Sequence, residues 1–503
     1  LACVAWLAYA LAVPAVADPA LLDKDLLRID LSDADVSRVL SVTKPTADFS
    51  KAEPFEAKPG GATTATKLPN RDIFSNHAAN LSFEQARDFK LGNALFRKVW
   101  VSSPASTQAS DGLGPLFNAR ACQSCHLKDG RGNPMDISSD ASSTFFRLAR
   151  PSQSAAEEAE IAALNTLNFP DPVYGGQIQD RAVPGLKGEA TMEVSYTEFP
   201  FTLADGTSVS LRKPMYSLSN LAYGPLASGV TLSPRIANPM IGLGLLQSIH
   251  PADILALSDP VDANHDGISG KANLARDAKG EVALGRFGWK AQNSSIREQT
   301  AEAFAGDIGI SSPDVPTATG DCTVAQTDCL GAVSGVQDRL GSTEAPDPVL
   351  ELVTFYSENL AVPARRDVDE ANVLKGKQLF YQSGCTACHT PKFVTRRDAA
   401  IKEHAFQLIW PYTDMLLHDM GEGLADGQPV GLADGNEWRT PPLWGIGLTQ
   451  TVSGHTYFLH DGRARNLIEA ILWHGGEGQG ARDKFAALAK GERDALIKFL
   501  ESL

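Results

Sequence analysis

Cys122-Gln-Ser-Cys125-His126 and Cys385-Thr-Ala-Cys388-His389 are the two strings on which the reading of this chain turns. Each is a C-x-x-C-H, the attachment signature of c-type haem. The two thiols form thioethers to the haem vinyl groups, and the histidine gives a nitrogen to the iron. A thioredoxin-like or zinc-binding CxxC has no need of a histidine directly after its second cysteine. Here one follows both times, in a chain with only seven cysteines. Two covalently bound haem c groups are therefore expected, with His126 and His389 as proximal iron ligands.

The surroundings of the two strings echo each other. Gly92-Asn-Ala-Leu95-Phe96 precedes the first and Gly376-Lys-Gln-Leu379-Phe380 the second. Arg235, Pro239 and Gly242-Leu-Gly-Leu-Leu-Gln247 follow the first; Arg439, Pro442 and Gly445-Ile-Gly-Leu-Thr-Gln450 follow the second. This repeat predicts a mainly α chain of two tandem cytochrome c-like haem domains. Phe485, Leu488, Leu496, Phe499, Leu500 and Leu503 recur at helical spacing and read as the core face of a closing helix. The first half carries an insertion. MEVSYTEFPFTL (192–203), then Asp205-Gly206, then SVSLRKP (208–214) is the pattern of a small β-hairpin. The expected organisation is an extended arm over 18–65, a first haem domain over 66–309, a Gly/Pro/Ser/Thr-rich linker over 310–345 and a second haem domain over 346–503.

The 503 residues carry a formal net charge of −15, which disfavours nucleic acid as a partner. Residues 1–17 are apolar and end in Ala15-Val16-Ala17, the pattern of a secretory signal and its cleavage site. No later segment reads as a membrane span. Cleavage after Ala17 removes Cys3. Of the remaining cysteines, four hold haem, and Cys322 and Cys329 flank a short polar loop as an expected disulfide, which suits the periplasm. Asp262, Asn264 and Asp266, followed by Gly267, match the start of a calcium loop. The twelfth position is Asn273, where an EF-hand has a bidentate Glu. A calcium-stabilised loop and an ordinary Asx-rich turn both fit.

The strings GLGPLFNARACQSCHLKDGRG (112–132), GLGLLQSI (242–249), DGISG (266–270), GRFGWKA (285–291), LLHDMGEGLADG (416–427), EWRTPPLWGIGLT (437–449) and FLHDGRARNLIEAILWHGGEG (458–478) resemble the bacterial di-haem oxidoreductase family. Its members are described as thiol oxidoreductases or peroxidases. It is related to the di-haem cytochrome c peroxidases and to the di-haem enzyme that matures methylamine dehydrogenase. The resemblance covers about residues 70–503 and implies unequal distal sides. In the related peroxidases a distal ligand lies fourteen residues after the His of a Y-F-H-D-G motif. Counted from His460, that position is His474, which would make the second haem bis-histidyl. The plainer reading is a surface histidine at a helix end. His418, His460, Met415 and Met420 compete, the two histidines reading better as supporting or propionate contacts.

For the first haem no histidine follows closely, so the resemblance implies an open iron or an unusual ligand, with Met215 and Met240 as alternatives. The counterpart of the peroxidase motif F-W-D-G-R-A is Phe287-Gly-Trp289-Lys-Ala291. Trp289 then matches the tryptophan placed between the haems, and Gln299, ten residues on, the distal amide that orients peroxide. Packing and an exposed helix position are the plainer readings of these two. The peroxidases' catalytic Glu falls on Gly309 here, which leaves Glu298 or Glu302 to supply the acid.

The function implied is a periplasmic, peroxidase-like di-haem oxidoreductase. Electrons would pass from the bis-His haem through Trp289 to a reactive haem that binds peroxide or a similar small oxidant. The donor would be a soluble periplasmic electron-transfer protein. A non-enzymatic di-haem electron-transfer cytochrome and a di-haem oxygenase are the alternatives.

Overall fold

A computed structural model describes residues 27–135 and 142–503. The signal-like residues 1–17 lie outside them. The architecture corrects the mainly α expectation: 30% of the chain is helical and 16% strand, and the sheets are many and small. Each sheet among the described residues has two strands. The physical reason lies between the repeated motifs. The 43 glycines and 30 prolines break those connections into turns and short ladders.

The helices that position the two CxxCH strings are α1 (Asp33–Thr43), α2 (Phe83–Phe96), α3 (Ile296–Ala303), α4 (Asp347–Glu358), α5 (Ala371–Gln382), α6 (Leu467–Leu472) and α7 (Lys490–Ser502). α2 crosses α4, and α5 crosses α7. The two crossings match residue for residue. A Cβ on Gly92 would stand 2.2 Å from the Leu352 carbonyl oxygen, and one on Gly376 would stand 1.9 Å from that of Ala495. Only glycine lets the backbones come so close. One turn on, Phe96 packs on Tyr356 at 5.1 Å, and Phe380 packs on Phe499 at 5.2 Å. The glycine and phenylalanine of each G-x-x-L-F string are thus the contact points of a helix crossing. The helix that closes on the first string is α4, so the packing draws the first unit through Glu358.

Four longer strands are β1 (Thr144–Ala149), β2 (Thr191–Thr202), β3 (Ser208–Ser219) and β4 (Thr231–Ile236). β2 and β3 form the hairpin read from the alternating stretch, in register from Thr191↔Ser219 to Thr202↔Ser208. It reaches across to the second unit. Leu203 and Leu211 join that unit's core, Asp205 pairs with Arg493 at 2.6 Å, and Phe199 meets Trp473 edge-on at 5.7 Å. β1 pairs antiparallel with β4. The described part of the arm carries α1, capped by Ser32, and then crosses the second unit. There Phe49 packs on Tyr381, Glu53 bridges Lys377 and Lys392, and Glu56 bridges Arg365 and Lys377. Cys322 and Cys329 form a disulfide. No helix among the described residues is long and apolar enough to cross a membrane.

Candidate functional site: two CxxCH centres and the space between them

At the first centre Cys122–Cys125 forms a single helical turn that ends on His126. At the second, Cys385–Ala387 forms a 3-10 turn entered through Gly384 at φ 87°. The imidazoles are held alike. His126 Nδ1 donates to the Asn238 carbonyl oxygen at 2.8 Å, and His389 Nδ1 donates to that of Tyr412 at 2.9 Å. A carbonyl can only accept, so Nδ1 carries the proton and Nε2 keeps its lone pair. This is how a metal-ligating histidine is oriented. The rings sit 6.1 Å from Phe96 and Phe380, each tilted by 50°. Burial lowers the pKa of both histidines, that of His389 to about 4, which favours neutral, ligating imidazoles.

Burial weighs against free-thiolate chemistry at the four cysteines. Burial pushes the thiols of Cys122 and Cys385 up to about 12 and raises those of Cys125 and Cys388 as well. A redox CxxC works through a thiolate, and burial disfavours that form at all four.

A cavity of about 530 Å³ adjoins the second centre. Cys385, Cys388, His389 and His474 all line it. His474 stands just beyond α6, and its Nδ1 donates to the Ala470 carbonyl oxygen at 2.8 Å, which leaves Nε2 free. It is close enough to add to the burial that lowers the pKa of His389. His418 is engaged differently. Its Nε2 meets Asp414 Oδ2 at 2.7 Å and its Nδ1 meets Glu477 Oε2 at 2.5 Å, so neither nitrogen is left for iron. Burial opposes a charge on His418, but the carboxylate hydrogen bonds outweigh it and hold the ring as imidazolium. Met420 lines the same cavity, whereas Met415 packs in a separate core cluster.

At the far end of this cavity three rings meet. His460 stacks on Trp438 at 3.9 Å, and Trp289 stands edge-on to both, at 6.4 and 6.5 Å. The Trp289 indole N–H donates to the Ile236 carbonyl oxygen at 2.9 Å. Two residues on, the Asn238 carbonyl accepts from His126. One short segment therefore ties Trp289 to the first centre, while its ring faces the cavity of the second. Arg131 and Arg439 line this cavity too, and burial lowers both guanidinium pKa values to about 10. Arg131 Nε has no partner, nor has His460 Nε2. Two undercompensated buried cations, one with an orphaned donor, fit the two propionates of a haem.

Gln299 accepts from Asn293 Nδ2 at 3.2 Å and lines neither this cavity nor the one beside Glu302. Glu298 is used up in the capping box of α3 with Ser295. Gly309 ends the following turn in the left-handed region at φ 76°. Glu302 is the carboxyl turned inward: it lines a second cavity of about 340 Å³. Burial raises its pKa, and Asn293 Nδ2 donates to its Oε2 at 2.9 Å. This cavity adjoins the first centre through Gln177, which donates to Asp307 Oδ1 at 2.8 Å. The Asp307 charge in turn acts on Cys122, Cys125 and His126. Of the sulfur alternatives for the first iron, Met215 is exposed on β3, while Met240 packs in the cluster that holds Cys122.

The Asp262 loop is a set of Asx turns. Asp262 Oδ1 accepts from the backbone of Asp266 and Gly267, Asn264 Oδ1 from Asp266, and Asp266 Oδ1 from Ile268. Asn273 is buried and bridges backbone groups instead. Among the described residues the sole group with metal-ligand proximity is Cys388, Asp414 and His418. Arg131, Arg147, Gln177 and Gln428 escaped the sequence reading, because lone arginines and glutamines scattered along a chain carry no spacing signal.

The family model described as "Di-haem oxidoreductase, putative peroxidase" matches residues 55–503. No curated protein matches the chain.

Proposed function

The chain belongs to the di-haem oxidoreductase family, and from that premise we propose a periplasmic peroxidase-like enzyme with one closed and one reactive centre. Haem bound at the two CxxCH strings would supply the redox chemistry, with peroxide or a similar small oxidant reduced at the first. The observation that carries this reading is the inequality of the two sites. At the second, His389 and His474 line one cavity, each with Nδ1 tied to a carbonyl and Nε2 free. Two imidazoles would close that centre as a low-spin electron-transfer site. Near the first, by way of Gln177 and Asp307, lies a polar cavity in which burial shifts the Glu302 carboxyl towards its neutral form. That carboxyl would take the acid's part that falls on Gly309 here. Trp289 stands between the centres as an aromatic step, and Arg131 and Arg439 hold the cavity's far end positive. The Cys322–Cys329 disulfide supports an oxidising compartment. The net charge of −15 suits a basic soluble electron donor.

The test is an optical and paramagnetic-resonance titration of the holoprotein with cyanide and with peroxide. One low-spin centre that ignores both ligands, beside one that binds them, is expected. Two unresponsive low-spin centres would make the protein an electron carrier.

A further inference from the structure

The second cavity is larger than an oxidant of two oxygen atoms requires. Its volume of about 340 Å³ is roughly ten times the ~30 Å³ that a water molecule occupies in the liquid. Its polar lining is also unfinished. Gln177, Gln428 and Arg235 are buried to 3% exposure or less, yet Gln177 Oε1, Gln428 Oε1 and Arg235 Nη2 have no hydrogen-bond partner. Gln292 Oε1 is unpartnered as well. Arg147, on β1, adds a second guanidinium, whose charge acts on Glu302 and Asp321. Buried polar groups in folded proteins are nearly always satisfied, and four orphans in one cavity point to an occupant that satisfies them. The nearby acids do not cancel the arginines. Burial pushes both Glu302 and Asp321 towards their neutral forms, and Asp426, 3.9 Å from Arg235, is shared with Lys290 at 2.9 Å.

We propose that this cavity binds a small hydroxy- or amino-carboxylate. Its carboxylate sits on Arg147 and Arg235, and its hydroxyl or ammonium donates to the amide oxygens of Gln177, Gln292 and Gln428. The donor set dictates the class: guanidiniums seek an anion, and orphaned amide oxygens need a donor on the same molecule. Through Gln177 and Asp307 the bound molecule would lie beside the first centre, but its binding does not depend on peroxide chemistry there.

The test is calorimetric titration of the holoprotein with L-malate and L-serine, and with succinate as the carboxylate that lacks a donor. Saturable binding of malate or serine is expected, with succinate about tenfold weaker or more. Arg147→Gln should weaken the better ligand by about tenfold or more, and Gln428→Leu should narrow its advantage over succinate. Absence of saturable binding by both malate and serine overturns the proposal, as does unchanged affinity in Arg147→Gln. If Arg147→Gln instead shifts the spectrum of the first haem while neither acid binds, the arginine serves a propionate and the proposal falls. Peroxide turnover, measured separately, can fail while binding stands, so the two readings are distinguishable.

Discussion

At the scale of single residues, His474 and Glu302 carry the proposed function. Replacing His474 by alanine should convert the second centre from a ligand-inert low-spin site to one that binds cyanide. His474→Met should keep it low-spin but raise its reduction potential, because a His/Met pair favours the reduced iron. An unaltered spectrum in both variants would remove His474 from the ligand set. Glu302 makes a pH prediction. Burial raises its pKa, so the carboxyl stays protonated to higher pH than an exposed one. Peroxide reduction should therefore hold steady at low pH and decline as pH rises through that raised value. Glu302→Gln should slow it by about 10²-fold or more and erase that limb of the profile. These two residues also mark how far the sequence reaches. The four cysteines and the two histidines after them are legible as candidates because the attachment motif spans only five residues. His474 is reached only by counting along a family motif. Glu302 is undecidable between Glu298 and itself until α3 shows which one caps the helix and which one turns inward.

Among the elements, the two helix crossings make the clearest stability contrast. A methyl on Gly92 or Gly376 would run into a backbone carbonyl that cannot rotate away. Gly92→Ala and Gly376→Ala should each destabilise by about 1–3 kcal/mol or more through overpacking. Gly491→Ala, in α7 with nothing near its Cβ position, should be neutral or stabilise by up to about 1 kcal/mol through helix propensity. Urea midpoints of the three variants decide this. The β2–β3 hairpin was readable because strict alternation and an Asp-Gly turn are local signals. The partner of α2 was not. α4 and α7 both present an apolar face, and chain order alone assigns α4 to the second unit, whereas shape complementarity at Gly92 and Tyr356 assigns it to the first. The mainly α expectation failed for a related reason. The repeated motifs are helical, but they are islands, and the lengths between them are governed by turns and short ladders.

Over the whole molecule, acid is the expected weakness. His404 and His460 are buried, and burial lowers the pKa of each to about 4. In the unfolded chain each would titrate near 6.5. The unfolded state therefore binds more protons between these values, and stability should fall as pH drops from about 6.5 to about 4. Each residue contributes up to roughly 3 kcal/mol to that loss. A His404→Gln variant should show a shallower decline, read from denaturant midpoints at pH 7 and pH 4.5. The units are also interlocked. The arm, the hairpin and α4 each cross from one unit to the other, so residues 346–503 alone would lack the hairpin's cover on Trp473 and carry α4 without its mate.

The buried thiols set an order of events in the life of the chain. Once folded, Cys122, Cys125, Cys385 and Cys388 are half-buried, and burial disfavours the thiolate form that would make them good nucleophiles. Covalent attachment at the two CxxCH strings would then be easier while the polypeptide is still open. The pigment would then be a guest that arrives before the doors close, with the tertiary structure assembling around it.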